Sequence, residues 1–138
     1  MSDREKFKAK VKEYQIKQLN LKETKFKISD PFDLVEDWDC YYPFCDEPGI
    51  YAIFDEKWNL LYIGKASNNS SIGARLGTYF KNDEEGNYKP VDSIKSWGGE
   101  PHYIIAVSVC KPFEAPSLEE YLIYNLDPKS NKVGKNIQ

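Results

Sequence analysis

The sequence has few of the features that mark secreted or membrane proteins. Its most apolar run, residues 104–109, falls well short of the roughly 20 residues needed to cross a bilayer. The N-terminus is charged from the third residue, so we expect no signal peptide. The three cysteines, an odd number, predict reduced thiols and a cytoplasmic protein. We therefore expect neither a membrane partner nor a disulfide framework.

Several common site motifs are also missing. Cys40 and Cys45 are loosely spaced and no second ligand pair follows them, so a zinc site is not indicated. The sequence contains no phosphate-binding loop and no dinucleotide-binding glycine pattern. A cysteine hydrolase that uses the single histidine, His102, would need a positioned partner, and the sequence nominates none. We interpret the cysteines as buried free thiols.

Arginine is scarce, and charge is unevenly distributed along the chain. The net charge is −3, and Arg4 and Arg75 are the only two arginines. Residues 1–30 carry nine Lys or Arg against five acidic residues, whereas residues 31–60 carry one Lys against eight acids. The basic N-terminal segment is either a phosphate-contacting surface or a solvated lysine-rich helix face. Charge alone does not decide between these interpretations.

What the sequence does contain indicates one compact unit of α+β class. Its 138 residues, 41% hydrophobic and 30% charged, are typical of a single globular domain. Apolar periodicity and capping signals predict a small three-stranded antiparallel sheet flanked by helices. The predicted elements are an amphipathic helix over 4–20, a short helix over 31–37 opened by Asp30-Pro31, an ordered connector over 39–48, a β-hairpin of 49–55 and 60–65, a helix over 72–80, an acidic loop over 82–88, a strand over 102–109 and a helix over 116–126.

The predicted hairpin carries two related tripeptides, Gly49-Ile50-Tyr51 and Tyr62-Ile63-Gly64. If the hairpin is symmetric about Glu56-Lys57, Tyr51 and Tyr62 lie directly opposite each other. Gly64 has no side chain and would leave room for the backbone of a ligand. Taken alone, the hairpin fits a packed tyrosine pair as well as it fits a binding site.

These tripeptides, together with the segments that follow, resemble the GIY-YIG nuclease family. The further elements that match are Lys65 directly after the second tripeptide, Arg75 and Tyr79 four residues apart, Glu119 followed by Leu122 and Ile123, and then Pro128 and Asn131. The resemblance covers about residues 48–131, so we predict a nuclease domain over 48–138 preceded by a basic helix and connector over 1–47. The chain is similar to small stand-alone members of the family and to the N-terminal nuclease domain of its long excision-repair members.

The resemblance implies a set of catalytic residues, namely Tyr51, Tyr62, Lys65, Arg75, Tyr79, Glu119 and Asn131. Glu119, rather than its neighbour Glu120, has the spacing of the metal ligand, and one carboxylate suits Mg²⁺ or Mn²⁺. Arg75 can bind phosphate oxygens bidentately. Tyr51 or Tyr62 would take the proton of the attacking water, and neighbouring cations are expected to favour its phenolate form.

The family resemblance predicts a metal-dependent endonuclease that hydrolyses DNA phosphodiester bonds. The alternative is a catalytically inactive nucleic-acid-binding or interaction module on the same fold, which the acidic net charge favours. Cutting both strands with one site per chain predicts a homodimer. A nuclease specific for branched DNA would instead act with a protein partner.

Overall fold

The computed structural model of the chain describes residues 1–21, 25–91 and 98–131. In chain order its elements are helix α1 (Asp3–Glu13), a π-helical turn (Tyr14–Gln18), strands β1 (Lys27–Ile28), β2 (Phe32–Asp33), β3 (Gly49–Phe54) and β4 (Leu60–Ala66), helix α2 (Ile72–Leu76), strands β5 (Phe80–Asn82), β6 (Tyr88–Pro90) and β7 (Tyr103–Ser108), a 3-10 turn (Pro112–Glu114) and helix α3 (Ala115–Leu126). The predicted α+β class is confirmed.

The three predicted strands form the centre of an antiparallel sheet in which β3 lies between β4 and β7. Two short strands that the sequence pattern did not reveal, β1 and β2, both pair with β7 on its other side. The sheet therefore has five strands rather than three. A separate two-stranded hairpin, β5–β6, encloses the predicted acidic loop.

Helices and loops cover both faces of the sheet, so all six residues of β3 are buried. On one face, Ile50 and Ala52 belong to the same apolar cluster as Phe7 of α1 and Leu118 of α3. The opposite face belongs to a second cluster, which includes Ile72 of α2. Residues of β3 thus alternate between the two clusters, with Ile50 and Ala52 in the first and Tyr51 and Ile53 in the second.

The N-terminal helix packs on both α3 and the β3–β4 hairpin. Tyr121 donates a hydrogen bond to Glu13 at 2.8 Å, and the guanidinium of Arg4 lies 4.6 Å from the centre of the Trp58 ring. Asp3 accepts a hydrogen bond from the backbone N–H of Leu60 at 2.7 Å. The predicted helix over 4–20 is present as α1 continued by the π-helical turn. The division of the chain at residue 47 stays a prediction.

The predicted short helix over 31–37 is wrong. Phe32 and Asp33 instead pair with β7, and the chain then turns. The side chain of Asp33, not that of Asp30, caps this turn by accepting hydrogen bonds from the N–H groups of Val35 and Glu36. Pairing with a buried strand outweighs the local Asp-Pro signal because it satisfies backbone groups along the sheet.

The predicted helix over 72–80 ends earlier, at Leu76. Residues 77–79 form a turn, in which the hydroxyl of Thr78 donates to the carbonyl of Arg75 at 2.7 Å. Phe80 then begins β5. The last helix agrees with its prediction, with Pro116 in its first turn. No helix in the described ranges combines the length and apolarity needed to span a membrane.

The predicted opposition of Tyr51 and Tyr62 is wrong. Tyr51 pairs with Gly64, and Tyr62 pairs with Ile53, because the register shifts after Ile53. The connecting turn is asymmetric: Asp55 accepts hydrogen bonds from the N–H groups of residues 57 and 59 and holds the chain in a longer loop. A symmetric two-residue turn would have given the predicted register.

Gly64 makes room for a tyrosine ring rather than for a ligand, which corrects our expectation. A Cβ atom at this position would lie 2.5 Å from Cζ and 2.6 Å from Cε2 of Tyr51. Tyr51 itself is fully buried. The missing side chain therefore allows a large aromatic residue of β3 to lie flat across β4.

We predict that Gly64→Ala destabilises the protein by about 1 to 3 kcal/mol, because the added methyl overpacks the buried Tyr51 ring. The loss is measured as the change in free energy of unfolding in urea. Gly77→Ala is the control, since a Cβ there would come no closer than 3.3 Å, to the carbonyl oxygen of Gly73. Equal stability of the two variants would contradict this account of Gly64.

Candidate active site

A cleft lies at the free edge of β4, where side chains from both faces of the sheet meet. Its volume is about 320 Å³. It is lined by Tyr62, Lys65, Ser67, Ser70, Arg75 and Glu119, which come from β4, the loop after it, α2 and α3. We call this group of residues the cleft. It unites four of the seven residues that the sequence predicts for the site.

Three tyrosine hydroxyls form a connected group behind the cleft. The hydroxyl of Tyr51 donates to that of Tyr79 at 3.0 Å, and the hydroxyl of Tyr62 lies 3.4 Å from the same atom. Arg75 Nη2 lies 3.5 Å from the Tyr79 hydroxyl, at the far limit of a hydrogen bond. Tyr79 thus links a buried tyrosine, a cleft tyrosine and the arginine.

The two candidate bases differ in their access to the cleft. Tyr51 is fully buried and does not line the cleft, whereas Tyr62 is partly exposed and does. Only Tyr62 of this pair can therefore contact a molecule that occupies the cleft.

The tyrosine pKa values are not lowered in the protein alone, contrary to our expectation that neighbouring cations favour the phenolate. Burial raises the pKa of Tyr51 above its ordinary value, and the neighbouring Tyr79 raises it further. Burial also raises the pKa of Tyr62, with contributions from Tyr79 and Glu119. Arg75 opposes both shifts but does not outweigh desolvation. In return, the nearby Tyr51 and Tyr79 raise the pKa of Arg75, and a guanidinium is charged in any case at physiological pH.

Glu119 projects from α3 toward Lys65 of β4. The Lys65 Nζ atom lies 3.7 Å from Glu119 Oε1, which is a loose ion pair. The Glu119 side chain is only 15% exposed, and burial raises its pKa although Lys65 acts in the opposite direction. Because Glu119 is largely buried and its ion-pair partner lies at 3.7 Å, Lys65 compensates its negative charge only in part. A cation in the cleft would stabilise the charged form of Glu119.

The neighbouring glutamate faces elsewhere, as the spacing of the motif predicts. Glu120 is exposed and lines a different groove with Tyr14 and Tyr121. Within the described ranges no group of three or more His, Cys, Asp or Glu side chains could hold a metal ion. Glu119 is the one carboxylate among the described residues that line the cleft. A single carboxylate beside open volume fits Mg²⁺, which keeps several waters in its shell.

Asn131 lies outside the cleft and forms hydrogen bonds with the backbone of β4, the strand on which two cleft residues stand. Its side-chain oxygen accepts from the N–H of Ile63, and its amide nitrogen donates to the carbonyl of Ile63, both at 2.9 Å. This pair of bonds imitates one step of a neighbouring strand at the edge of β4. Ile63 lies between Tyr62 and Gly64, so Asn131 fixes the backbone on which the cleft is built.

Two cleft residues, Ser67 and Ser70, were not predicted from the sequence. They belong to a polar loop over 67–71, in which Ser71 caps α2 by accepting a hydrogen bond from the N–H of Ala74. The signal that could have indicated Ser67 and Ser70 is their position in a polar loop between β4 and α2, two elements that carry predicted site residues.

The cysteines and the histidine take no part in the cleft. Cys40 and Cys110 are exposed and Cys45 is half-buried, so the prediction that the three thiols are buried is wrong. All three are unpaired. His102 Nε2 lies 3.3 Å from Asp33 Oδ1, which ties β7 to β2.

Comparison with known proteins decides the family. Residues 47–132, well over half of the chain, match the model of the UvrC-like GIY-YIG domain. The chain belongs to this family. It is a nuclease family, and its members generally depend on a divalent metal ion.

The curated relatives of this GIY-YIG chain are much longer proteins. It is 37% identical over 93 residues to the UvrABC system protein C of Nautilia profundicola, which covers 62% of this chain and 14% of the relative. It is 39% identical over 88 residues to the UvrABC system protein C of Legionella pneumophila strains Lens and Paris, covering 62% of this chain and 12% of each relative. No solved structure matches the chain significantly.

We predict that Asn131→Ala destabilises the protein by at least about 2 kcal/mol, because it leaves the buried N–H and carbonyl of Ile63 without partners. Asn125→Ala is the matched control, since the one hydrogen bond of that exposed amide among the described residues goes to the carbonyl of Tyr121 on its own helix. Thermal and urea unfolding of the two variants would measure the difference. If both variants were as stable as the parent, the bracing role of Asn131 would be wrong.

Proposed function

We propose that this protein is a metal-dependent endonuclease that hydrolyses DNA phosphodiester bonds at the cleft. The observation that carries the proposal is the convergence of Tyr62, Lys65, Arg75 and Glu119 on one volume of about 320 Å³. Two fixed cations, a hydroxyl that can move a proton and a carboxylate for a metal ion are the groups that phosphodiester hydrolysis needs. The likeness to UvrC-type nuclease domains supports DNA as the substrate.

In this mechanism Glu119 holds the metal ion, with Mg²⁺ as the proposed species and Mn²⁺ as a substitute. A metal ion held there would supply positive charge beside the phosphate and would lower the pKa of a water bound to it. Glu119 is the one carboxylate among the described residues that line the cleft, which suits Mg²⁺ because proteins usually bind this ion through one or two carboxylates.

Arg75 and Lys65 bind the phosphate as negative charge builds on its oxygens. Arg75 is the better placed for the bidentate contact, since its guanidinium is held beside the Tyr79 hydroxyl at one wall of the cleft. Lys65 faces Glu119 at 3.7 Å, so it keeps a charged carboxylate in the cleft until substrate arrives. Both residues stabilise the transition state through preorganised charge.

Tyr62, in its phenolate form, accepts the proton of the attacking water and becomes a neutral phenol, and its oxygen lies 3.4 Å from the Tyr79 hydroxyl. Glu119 is one of the groups that raise the pKa of Tyr62, so this pKa falls when the glutamate charge is neutralised. Tyr51, fully buried, positions Tyr79 by the 3.0 Å hydrogen bond and does not touch substrate. Asn131 positions Tyr62 through the backbone of Ile63.

The assembly that cuts a duplex is also part of the proposal. One cleft per chain cleaves one strand at a time, so double-strand cleavage would require a homodimer or transient pairing. Action on branched DNA would involve a protein partner. The lysines of α1 are proposed to contact DNA outside the cleft.

The proposal predicts nicking of supercoiled plasmid in Mg²⁺, loss of nicking in excess EDTA, and a loss of at least about 100-fold for Glu119→Ala. Glu120→Ala is the matched control and should retain parental activity, because Glu120 is exposed and faces another groove. Branched and plain duplex substrates are tested in parallel. A folded parent that binds DNA and cuts neither substrate would establish the alternative, an inactive binding module.

The assignment of the base predicts different effects for two tyrosine variants. Tyr62→Phe should lower the single-turnover cleavage rate by about 100-fold or more, the usual contribution of a general base. Tyr51→Phe should cost much less, because this hydroxyl lies behind the cleft. Near-full cleavage by Tyr62→Phe would exclude it as the base.

The pH dependence provides a second readout of the same assignment. The pKa of Tyr62 is raised, so its phenolate is the minor form at neutral pH and increases as pH rises toward that pKa. The parental rate should therefore climb between about pH 6 and about pH 9, and Tyr62→Phe should show a flatter profile. A parental rate that falls over this range would contradict the role.

A further inference from the structure

Ser67 and Ser70 are the two cleft residues without a role in the mechanism above. Both are partly buried and both line the cleft beside Lys65 and Arg75. Their loop is held by its own backbone, with the N–H of Ser70 donating to the carbonyl of Ser67 at 3.2 Å. This backbone bond does not involve either side-chain hydroxyl and is available in variants that lack them.

The two hydroxyls have no hydrogen-bond partner among the described residues, in contrast to three other serines of the chain. Ser71 caps α2 with its side chain, and Ser108 donates to Glu47 at 2.6 Å. Ser29 accepts from the N–H of Ala106 at 2.9 Å. A partly buried hydroxyl that forms no internal bond is free to donate to whatever enters the cleft.

The charge of the cleft indicates what that occupant is. Lys65 and Arg75 stand beside the serines and supply positive charge, and Arg75 is permanently cationic. Glu119, the carboxylate of the cleft, is assigned to the metal ion in the proposed mechanism, not to the serine hydroxyls. An oxyanion next to Arg75 can accept hydrogen bonds from the guanidinium and from neutral hydroxyl donors at the same time.

We propose that Ser67 and Ser70 form a substrate subsite, in which their hydroxyls donate hydrogen bonds to non-bridging oxygens of a DNA phosphate held by Arg75. This inference rests on the proposed function and adds two binding residues to it. Because the donors are neutral, they contribute affinity and orientation without adding charge to an acidic protein.

The test measures DNA binding in a cleavage-deficient background, so that it does not depend on turnover. Glu119→Gln protein is compared with Glu119→Gln/Ser67→Ala/Ser70→Ala on the same duplex in Mg²⁺. Loss of two hydrogen bonds to a charged phosphate should weaken binding by at least about 10-fold. Asn69→Ala in the same background is the control, because Asn69 is an exposed residue of the same loop that does not line the cleft.

Salt dependence separates direct contact from an effect on loop shape. Neutral hydroxyls release no counterions, so the slope of log K against log salt should be unchanged in the serine variant. Arg75→Gln, by comparison, should reduce that slope by about 1. If the serine variant also loses slope, the serines act only by placing Arg75, and the proposed subsite is overturned.

The outcomes also distinguish this inference from the function on which it rests. Parental cleavage together with unchanged affinity of the serine variant would overturn the subsite alone. A parent that neither cuts nor binds DNA would overturn the proposed function and the subsite with it. Weaker binding with an unchanged slope, in a variant that melts at the parental temperature, is the result we expect.

Discussion

The contact between the Tyr51 ring and the backbone of Gly64 is the constraint on which the rest of the site depends. A Cβ at residue 64 would lie 2.5 Å from the ring, so only glycine lets it cross β4. The buried hydroxyl then reaches Tyr79, and Tyr79 in turn meets Tyr62 and Arg75. The geometry of the catalytic groups is thus set by close packing inside the molecule, which deforms less than a surface loop.

Strand β4 lies at one edge of the sheet, and the unpaired backbone groups of an exposed edge strand can pair with other chains. Here the side chain of Asp3 accepts a hydrogen bond from the N–H of Leu60. The N–H groups of Lys129 and Ser130 donate to the carbonyls of Leu60 and Leu61. The side chain of Asn131 bonds to both the N–H and the carbonyl of Ile63. These contacts cover the edge of β4 from Leu60 to Ile63, and the cleft residue Lys65 lies beyond them. One end of β4 therefore serves stability and the other end serves the site.

The charges within the cleft, rather than the net charge of the chain, determine which ligands the cleft can bind. The chain is acidic overall, yet its cleft brings Lys65 and Arg75 together with a single, largely buried glutamate. Burial raises the pKa of Glu119 and of Tyr62, so both groups are sensitive to any charge that enters. A partly desolvated site of this kind responds strongly to a metal ion or a phosphate, because electrostatic interactions are little screened there.

The sequence by itself determined the class of the fold, because periodicity is a local property. Its resemblance to the GIY-YIG family indicated four of the residues that meet in the cleft, and the family's motif separated Glu119 from Glu120. Only the tertiary structure decided the β3–β4 register, the short strands β1 and β2, and the loss of the helix over 31–37. It likewise decided that burial outweighs Arg75 at the tyrosines and that two serines line the cleft. These features arise from pairing and burial between residues distant in the chain, which local patterns do not encode.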